Sequence, residues 1–286
     1  MEKATKINSL KEYIGVINAK ILDCKKSNVK ISSKIYRLFF RGQSNSTWEL
    51  VPSIMRSKEI EKTKIDKYYE KYGDINLFQN LSIIQHKDSG TRFLDFTMNP
   101  LITLYFACNG NYEKDGKIYT LFFDGLNSNW NKSKIIYYIA SLPKDKEELT
   151  VCEYKQYLGN NVDGFSNCSV DLNADIIDGV CYGNLVIPMK NDYKINKRLS
   201  RQCGVFYICP PKILHIGEKE ANHIRDGYLL LSDSDVKFSR NQVEVPKWLN
   251  NGFIEEIIIS SGAKYNIIDE LNKKYEINEK YLFPFI

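Results

Sequence analysis

Long apolar runs are missing from this chain: none approaches the roughly 18 to 20 residues that cross a bilayer, so no membrane-spanning segment is expected. The opening segment, residues 1–6, is polar and leads into no apolar signal core, so a cytoplasmic location is expected. Histidine is scarce. His86, His215 and His223 form no His-Glu-x-x-His pattern, which argues against a histidine-based metal site. The seven cysteines are odd in number, widely spaced and without a Cys-x-x-Cys pair, so neither a disulfide framework nor a zinc ligand set is expected. Also absent are a Gly-rich phosphate loop, a Gly-x-Ser-x-Gly elbow and a paired-carboxylate signature, which sets aside the common hydrolases. There is no repeat of 20 to 50 residues and no low-complexity tract.

What remains is the composition of a folded globular protein. Of 286 residues, 43% are hydrophobic, 26% charged and 13% aromatic, enough to build a sizeable core. Forty basic against 35 acidic residues give a net charge of +5, which permits contact with phosphate or nucleic acid without demanding it. The short basic runs Lys25-Lys26 and Lys273-Lys274 read as solvated surface.

Leu10, Tyr13, Ile14, Ile17 and Ile21 recur at spacings of three and four, predicting an amphipathic helix within residues 7–22. Residues 34–41 are rich in β-formers and end at Gly42, which predicts a strand running into a loop. Residues 57–85 have helical periodicity, as one long helix or two. A short strand is expected at residues 92–96, and Asn99-Pro100 opens a helix at Leu101–Cys108 that is apolar on nearly every side. Further strands are expected at residues 116–123, 185–189, 204–208 and 254–259, with a last helix at 266–275. Residues 127–178 read as irregular and polar, the expected place for an insertion or mobile region in a single domain of residues 1–286. Strands far apart in sequence with helices between them predict an α+β fold, with a mixed or antiparallel central sheet and an N-terminal helical portion.

Arg41 is the most informative single residue. An arginine at a strand end, followed by a glycine, sets a guanidinium fork beside accessible backbone, as anion recognition requires. Gly42 permits close approach of a ligand and Gln43 can add hydrogen bonds. Equally, Arg41 can bridge to a carboxylate such as Asp95 and pin two segments together. If residues 92–96 are extended, Asp95 and Thr97 point the same way, and a buried Asp95 needs an arginine partner. His86 by itself reads first as a structural histidine, and Cys203, at the edge of an apolar strand, as a core residue.

Four blocks in order carry a resemblance: Phe39-Phe40-Arg41-Gly42-Gln43 with Trp48–Ser53 and Arg56; Gln85-His86 with Thr91–Thr97, Asn99–Leu101 and Leu104–Ala107; Asn196 and Arg198 with Gln202–Phe206; and Ile257–Ile259 through Ile277 to Leu282–Pro284. They resemble the FRG-domain family, named for its aromatic-Arg-Gly motif. Two departures are Lys87–Gly90 where the family has Gly-x-Pro, and Phe96 where it has Trp. The layout also resembles the motif plan of ADP-ribosyltransferases. That resemblance implies an ADP-ribosyltransferase-like fold and NAD as substrate, with no resident cofactor. It also implies a catalytic set in which Arg41 holds the pyrophosphate or ribose, Thr97 supports the nicotinamide ribose and Gln202 occupies the third position. In the plan that third position is a glutamate, so Gln202 removes the charge expected there. Gly42, Gln43, His86, Arg92, Asp95 and Arg198 are the accompanying binding candidates. The family's occurrence, mainly in bacteria and their mobile elements, implies a phage-defence or toxin-like setting, with nucleic acid or protein as acceptor. The alternative is a non-catalytic module that binds nucleotide, nucleic acid or protein.

Overall fold

The computed structural model describes residues 4–30, 37–57, 59–123, 125–163, 165, 171–216, 236–245 and 254–284. Among these residues, eleven strands follow in chain order: β1 (Thr5–Ile7), β2 (Arg37–Gln43), β3 (Phe93–Thr97), β4 (Gly116–Phe123), β5 (Leu126–Asn127), β6 (Glu148–Thr150), β7 (Asn184–Ile187), β8 (Gly204–Ile208), β9 (Pro211–Ile216), β10 (Val236–Val243) and β11 (Ile254–Ile259). The helices used below are α1 (Leu10–Lys30), α2 (Glu61–Tyr72), α3 (Leu77–Lys87), α4 (Pro100–Cys108), α5 (Asn131–Tyr137), α6 (Val151–Asn161), α7 (Asp171–Tyr182), α8 (Lys190–Ile195), α9 (Lys197–Arg201), α10 (Lys264–Tyr275) and α11 (Glu279–Leu282).

Eight strands form one mixed sheet in the order β1-β11-β4-β2-β3-β8-β7-β5, and β6-β10-β9 form a second, smaller one. Only the two edge pairs of the large sheet, β1 with β11 and β5 with β7, run parallel. The chain is therefore α+β with a mixed central sheet. The expected strands at 116–123, 204–208 and 254–259 fall on β4, β8 and β11. Residues 34–36 of the expected strand before Gly42 lie outside the described residues.

β2 and β3 sit at the middle of the large sheet because their side chains are apolar on both faces. On β2, Phe39 joins one core cluster with Leu94, Phe96, Tyr119 and Leu121, while Phe40 joins another with Leu104, Ile118 and Ile257. On β3, Phe93 packs against Phe78 and Phe206, while Leu94 and Phe96 turn the opposite way. α4 is capped by Asn99, whose side-chain oxygen accepts from the Leu101 and Ile102 amides, and Pro100 supplies its first residue. It lies so close to β2 that a Cβ on Gly42 would stand 2.2 Å from the Thr103 carbonyl oxygen. Glycine is required there by contact.

The helical stretch before β3 is two helices. α2 stops at Gly73, with φ of +68°, and α3 restarts through a reciprocal cap between Asn76 and Gln79. Residues 127–178, which read as irregular, contain α5, β6, α6 and most of α7 among the described residues. Leu149, Val151, Tyr154 and Leu158 bury one face of this segment against Ile135, Ile176, Val180 and Phe238. The polar surface of these short helices hid a three-and-four spacing.

Candidate functional site

The functional candidates meet where β2 and β3 run beside α9. β3 pairs with β8 so that Asp95 faces Phe206 and Thr97 faces Gly204, which carries the α9–β8 turn to the end of β3. Phe40, Arg41, Gly42, Asp95, Phe96, Thr97, Phe106, Arg198 and Gln202 line one cavity of about 240 Å³. A broader cleft of about 980 Å³ adjoins it, sharing Arg41, Gly42 and Phe106 as a common wall and adding Gln43, Trp48, Glu49 and Arg56.

Arg41 makes the bridge to Asp95 that its position allowed. Its Nη1 donates to the Asp95 carbonyl oxygen at 2.8 Å and lies 3.8 Å from the Asp95 carboxylate. Its Nε–H is buried and has no partner among the described residues. Burial pulls the guanidinium below the ordinary arginine range, and Asp95 opposes that shift. Asp95 is held by Gln85, whose Nε2 donates to Oδ2 at 2.9 Å, and its carboxylate side chain is nearly half exposed.

His86 stands behind Asp95, with Nε2 3.9 Å from Oδ1 and Nδ1 within 3.3 Å of the Asn196 amide. Burial, with Arg198 adding to it against Asp95, pushes its pKa down to about 4, so the ring is neutral at pH 7. Arg198 donates from Nη1 to the His86 carbonyl oxygen at 2.9 Å and stacks its guanidinium 4.6 Å from the centre of the Phe283 ring. Its Nε–H, like that of Arg41, is buried without a partner among the described residues. Asn196, through its amide and its cap on Leu199, fixes both His86 and the start of α9.

Thr97 and Gln202 are joined to each other. The Thr97 hydroxyl donates to the Gln202 carbonyl oxygen at 2.6 Å and accepts from the Asn99 amide at 3.0 Å. The Gln202 side chain donates to the Leu282 carbonyl oxygen at 3.2 Å. Both line the cavity, yet their hydrogen bonds tie β3, α9 and the last helix together. Gln43 is buried beside the broader cleft, with Nε2 3.4 Å from the Glu49 carbonyl oxygen and Oε1 unpartnered among the described residues.

Arg92 stands apart from this group. Its Nε donates to Glu61 Oε2 and its amide to Glu61 Oε1, each at 2.8 Å, in a pair with both side chains almost fully buried. It lines a different cavity, with Arg240. Cys203 is no activated nucleophile: burial raises its thiol pKa above the ordinary value. Among the described residues, no three His, Cys, Asp or Glu side chains gather to hold a metal ion, and no helix is long and apolar enough to cross a membrane. Sequence reasoning did not single out Phe106 as a wall of the cleft, nor Trp48 and Arg56 as more than motif residues. Their place within the motif blocks was the available signal.

Residues 36–116 match the FRG domain family, so the chain carries an FRG domain over that span. The match takes in the first two motif blocks, from Phe39 to Ala107, and stops before the blocks at Asn196–Phe206 and Ile257–Pro284. No curated protein and no solved structure matches the chain.

Proposed function

We propose that the Arg41 cleft binds a nucleotide-type anion, with the phosphates at Arg41 and Arg198 and the rest of the ligand in the broader cleft. The observation that carries this reading is the pair of buried, unpartnered Nε–H groups on two arginines that line the same cavity. Buried donors without partners each cost about 1–3 kcal/mol, and a phosphate oxygen answers that cost with a charge-assisted hydrogen bond. The broader cleft has the volume of a small-molecule site, and Trp48, about half exposed, offers an aromatic face beside Arg56.

A second reading, NAD cleavage at the same site, is favoured by Asp95. It supplies a half-exposed carboxylate beside the arginines, in a cavity where Gln202 carries no charge. In that step the bond from the nicotinamide nitrogen to ribose C1′ breaks and nicotinamide leaves with the bonding electrons. Asp95 offsets the positive charge on the ribose, and water or an acceptor group then bonds to C1′ and releases its proton to solvent. With water the enzyme is a glycohydrolase; with a nucleic acid or protein acceptor it is a transferase, and either suits a toxin or defence role. Calorimetric titration with NAD and ADP, alongside assay of released nicotinamide, separates the readings. Binding that is lost in Arg41→Ala supports the anion cleft. Nicotinamide release that Asp95→Asn abolishes while NAD still binds supports cleavage. Failure of the wild type to bind either nucleotide overturns the proposal.

A further inference from the structure

At the other end of β3, Arg92 and Arg240 lie almost fully buried, 1% and 2% exposed, in the wall of a cavity of about 180 Å³ formed with Ile54, Ser57, Glu61 and Ala140. One buried carboxylate serves the two cations. Glu61 is taken up by the Nε and amide of Arg92, and Arg92 Nη2 donates to the Arg240 carbonyl oxygen at 3.3 Å. That leaves Nη1 of Arg92 and both Nη1 and Nη2 of Arg240 buried without partners among the described residues. The remaining acid on the wall, Glu59, is nearly half exposed and lies 3.9 Å from Lys64. Burial and the neighbouring Arg92 both disfavour the charge on Arg240, while Glu61 and Asp145 favour it.

Two buried forks with three unused nitrogens and one carboxylate between them form an incomplete arrangement. Buried like charges repel, and buried guanidinium donors need acceptors. The cavity falls below the roughly 300 Å³ at which small-molecule sites begin, so a compact group suits it. A tetrahedral oxyanion offers several acceptor oxygens and the missing negative charge, in the fork geometry that arginine fits best.

We infer that this cavity between α2, the start of β3 and β10 binds a phosphate-type oxyanion through Arg92 and Arg240, apart from the Arg41 cleft. The oxyanion is free phosphate or the terminal phosphoryl group of a larger molecule. The cavity volume favours the former.

The test is thermal unfolding of the full chain titrated with inorganic phosphate, against chloride at matched ionic strength, and separately with ribose 5-phosphate. The wild type and Arg41→Ala are expected to gain on the order of 5 °C at saturating phosphate. Arg240→Lys, which keeps the charge and loses the fork, is expected to lose that gain. Ser57→Leu narrows the cavity at a wall residue whose hydroxyl bonds Glu59 and neither arginine, and is expected to lose it as well, so the proposal stays testable if Arg240→Lys does not fold. Read in Arg41→Ala, so that the Arg41 cleft does not supply it, a gain with phosphate alone assigns the free ion and a gain with both assigns a phosphoryl site open to larger molecules. No gain over chloride in the wild type, a gain lost in Arg41→Ala, or a gain kept in both Arg240→Lys and Ser57→Leu overturns the inference.

Discussion

His86 makes stability depend on pH in a direction and by an amount that the fold dictates. The ring is 4% exposed, packs against Phe206 at 5.8 Å and holds a proton only below about pH 4. An unfolded chain protonates its histidines near pH 6.5. Between those values the unfolded state carries the extra proton, so stability contributed by the neutral ring is present above about pH 6.5 and is lost as pH falls toward 4. The full effect is about 3 kcal/mol, of which about 2 kcal/mol is lost between pH 7.5 and pH 5. Urea denaturation of the wild type and of His86→Gln at these two pH values measures it. The two proteins share every other titratable group, so the difference between the two pH slopes is assigned to His86. Slopes that agree within error, or an NMR titration placing the wild-type ring near its ordinary value, would refute the burial argument. The same neutrality matters for the cleft, because an uncharged His86 adds no positive charge behind Asp95, Arg41 and Arg198.

Three further outcomes follow from contacts already described. Gly42→Ala drives a methyl group into the Thr103 carbonyl oxygen, 2.2 Å away, and the Ala107 amide, 2.8 Å away. A loss of about 1–3 kcal/mol is expected in chemical denaturation, and an unchanged midpoint would mean that β2 does not lie against α4. Glu61→Gln leaves Arg92 and Arg240 buried with no carboxylate between them. A loss of about 3–5 kcal/mol is expected, and phosphate should restore part of it if the oxyanion site exists. Asn99→Ala removes the acceptor for the Leu101 and Ile102 amides. It should cost about 0.5–2 kcal/mol, read as a lower melting temperature.

Much of the cleft was legible in the sequence because its parts sit on strongly patterned elements. The β-rich run up to Arg41, the extended run at 92–96 and the apolar helix behind Pro100 each announce themselves, although β2 continues through Gly42 to Gln43 where a loop was expected, and β3 runs one residue later, from Phe93 to Thr97. Alternation along β3 correctly puts Asp95 and Thr97 on a shared face, and both line the cavity with Arg41, Arg198 and Gln202. The hydrogen bonds were not legible. Nothing in the sequence indicates that the Thr97 hydroxyl is spent on the Gln202 carbonyl oxygen, since that contact depends on how the α9–β8 turn is laid against β3. Helices α5 and α6 were missed for a different reason. Val151, Tyr154 and Leu158 keep helical spacing, and Thr150 with Glu153 forms a reciprocal cap. Few apolar residues per turn, and flanking Asn and Asp, made the segment resemble a loop.

The segment Thr91–Thr97 shows why nearness in sequence misled for Arg92. Arg92 and Asp95 are three residues apart, about 10 Å along an extended chain, and an odd spacing turns their side chains to opposite faces. Arg92 also precedes the strand, where its carbonyl oxygen accepts from the Cys209 amide and its side chain is free to turn toward α2 and Glu61. Asp95 lies within the strand, so its side chain is fixed on the face that β2 and α3 cover with Arg41, Gln85 and His86. One short motif therefore feeds two separate cavities, each with buried arginine donors left unpartnered among the described residues. The cleft at Arg41 also holds the nearly half-exposed carboxylate of Asp95, so an anion proposed to sit there would meet a carboxylate beside the two arginines. At Arg92 and Arg240 the one buried carboxylate among the described residues, that of Glu61, is already committed, so that cavity is suited to holding a small anion in place and not to acting on one.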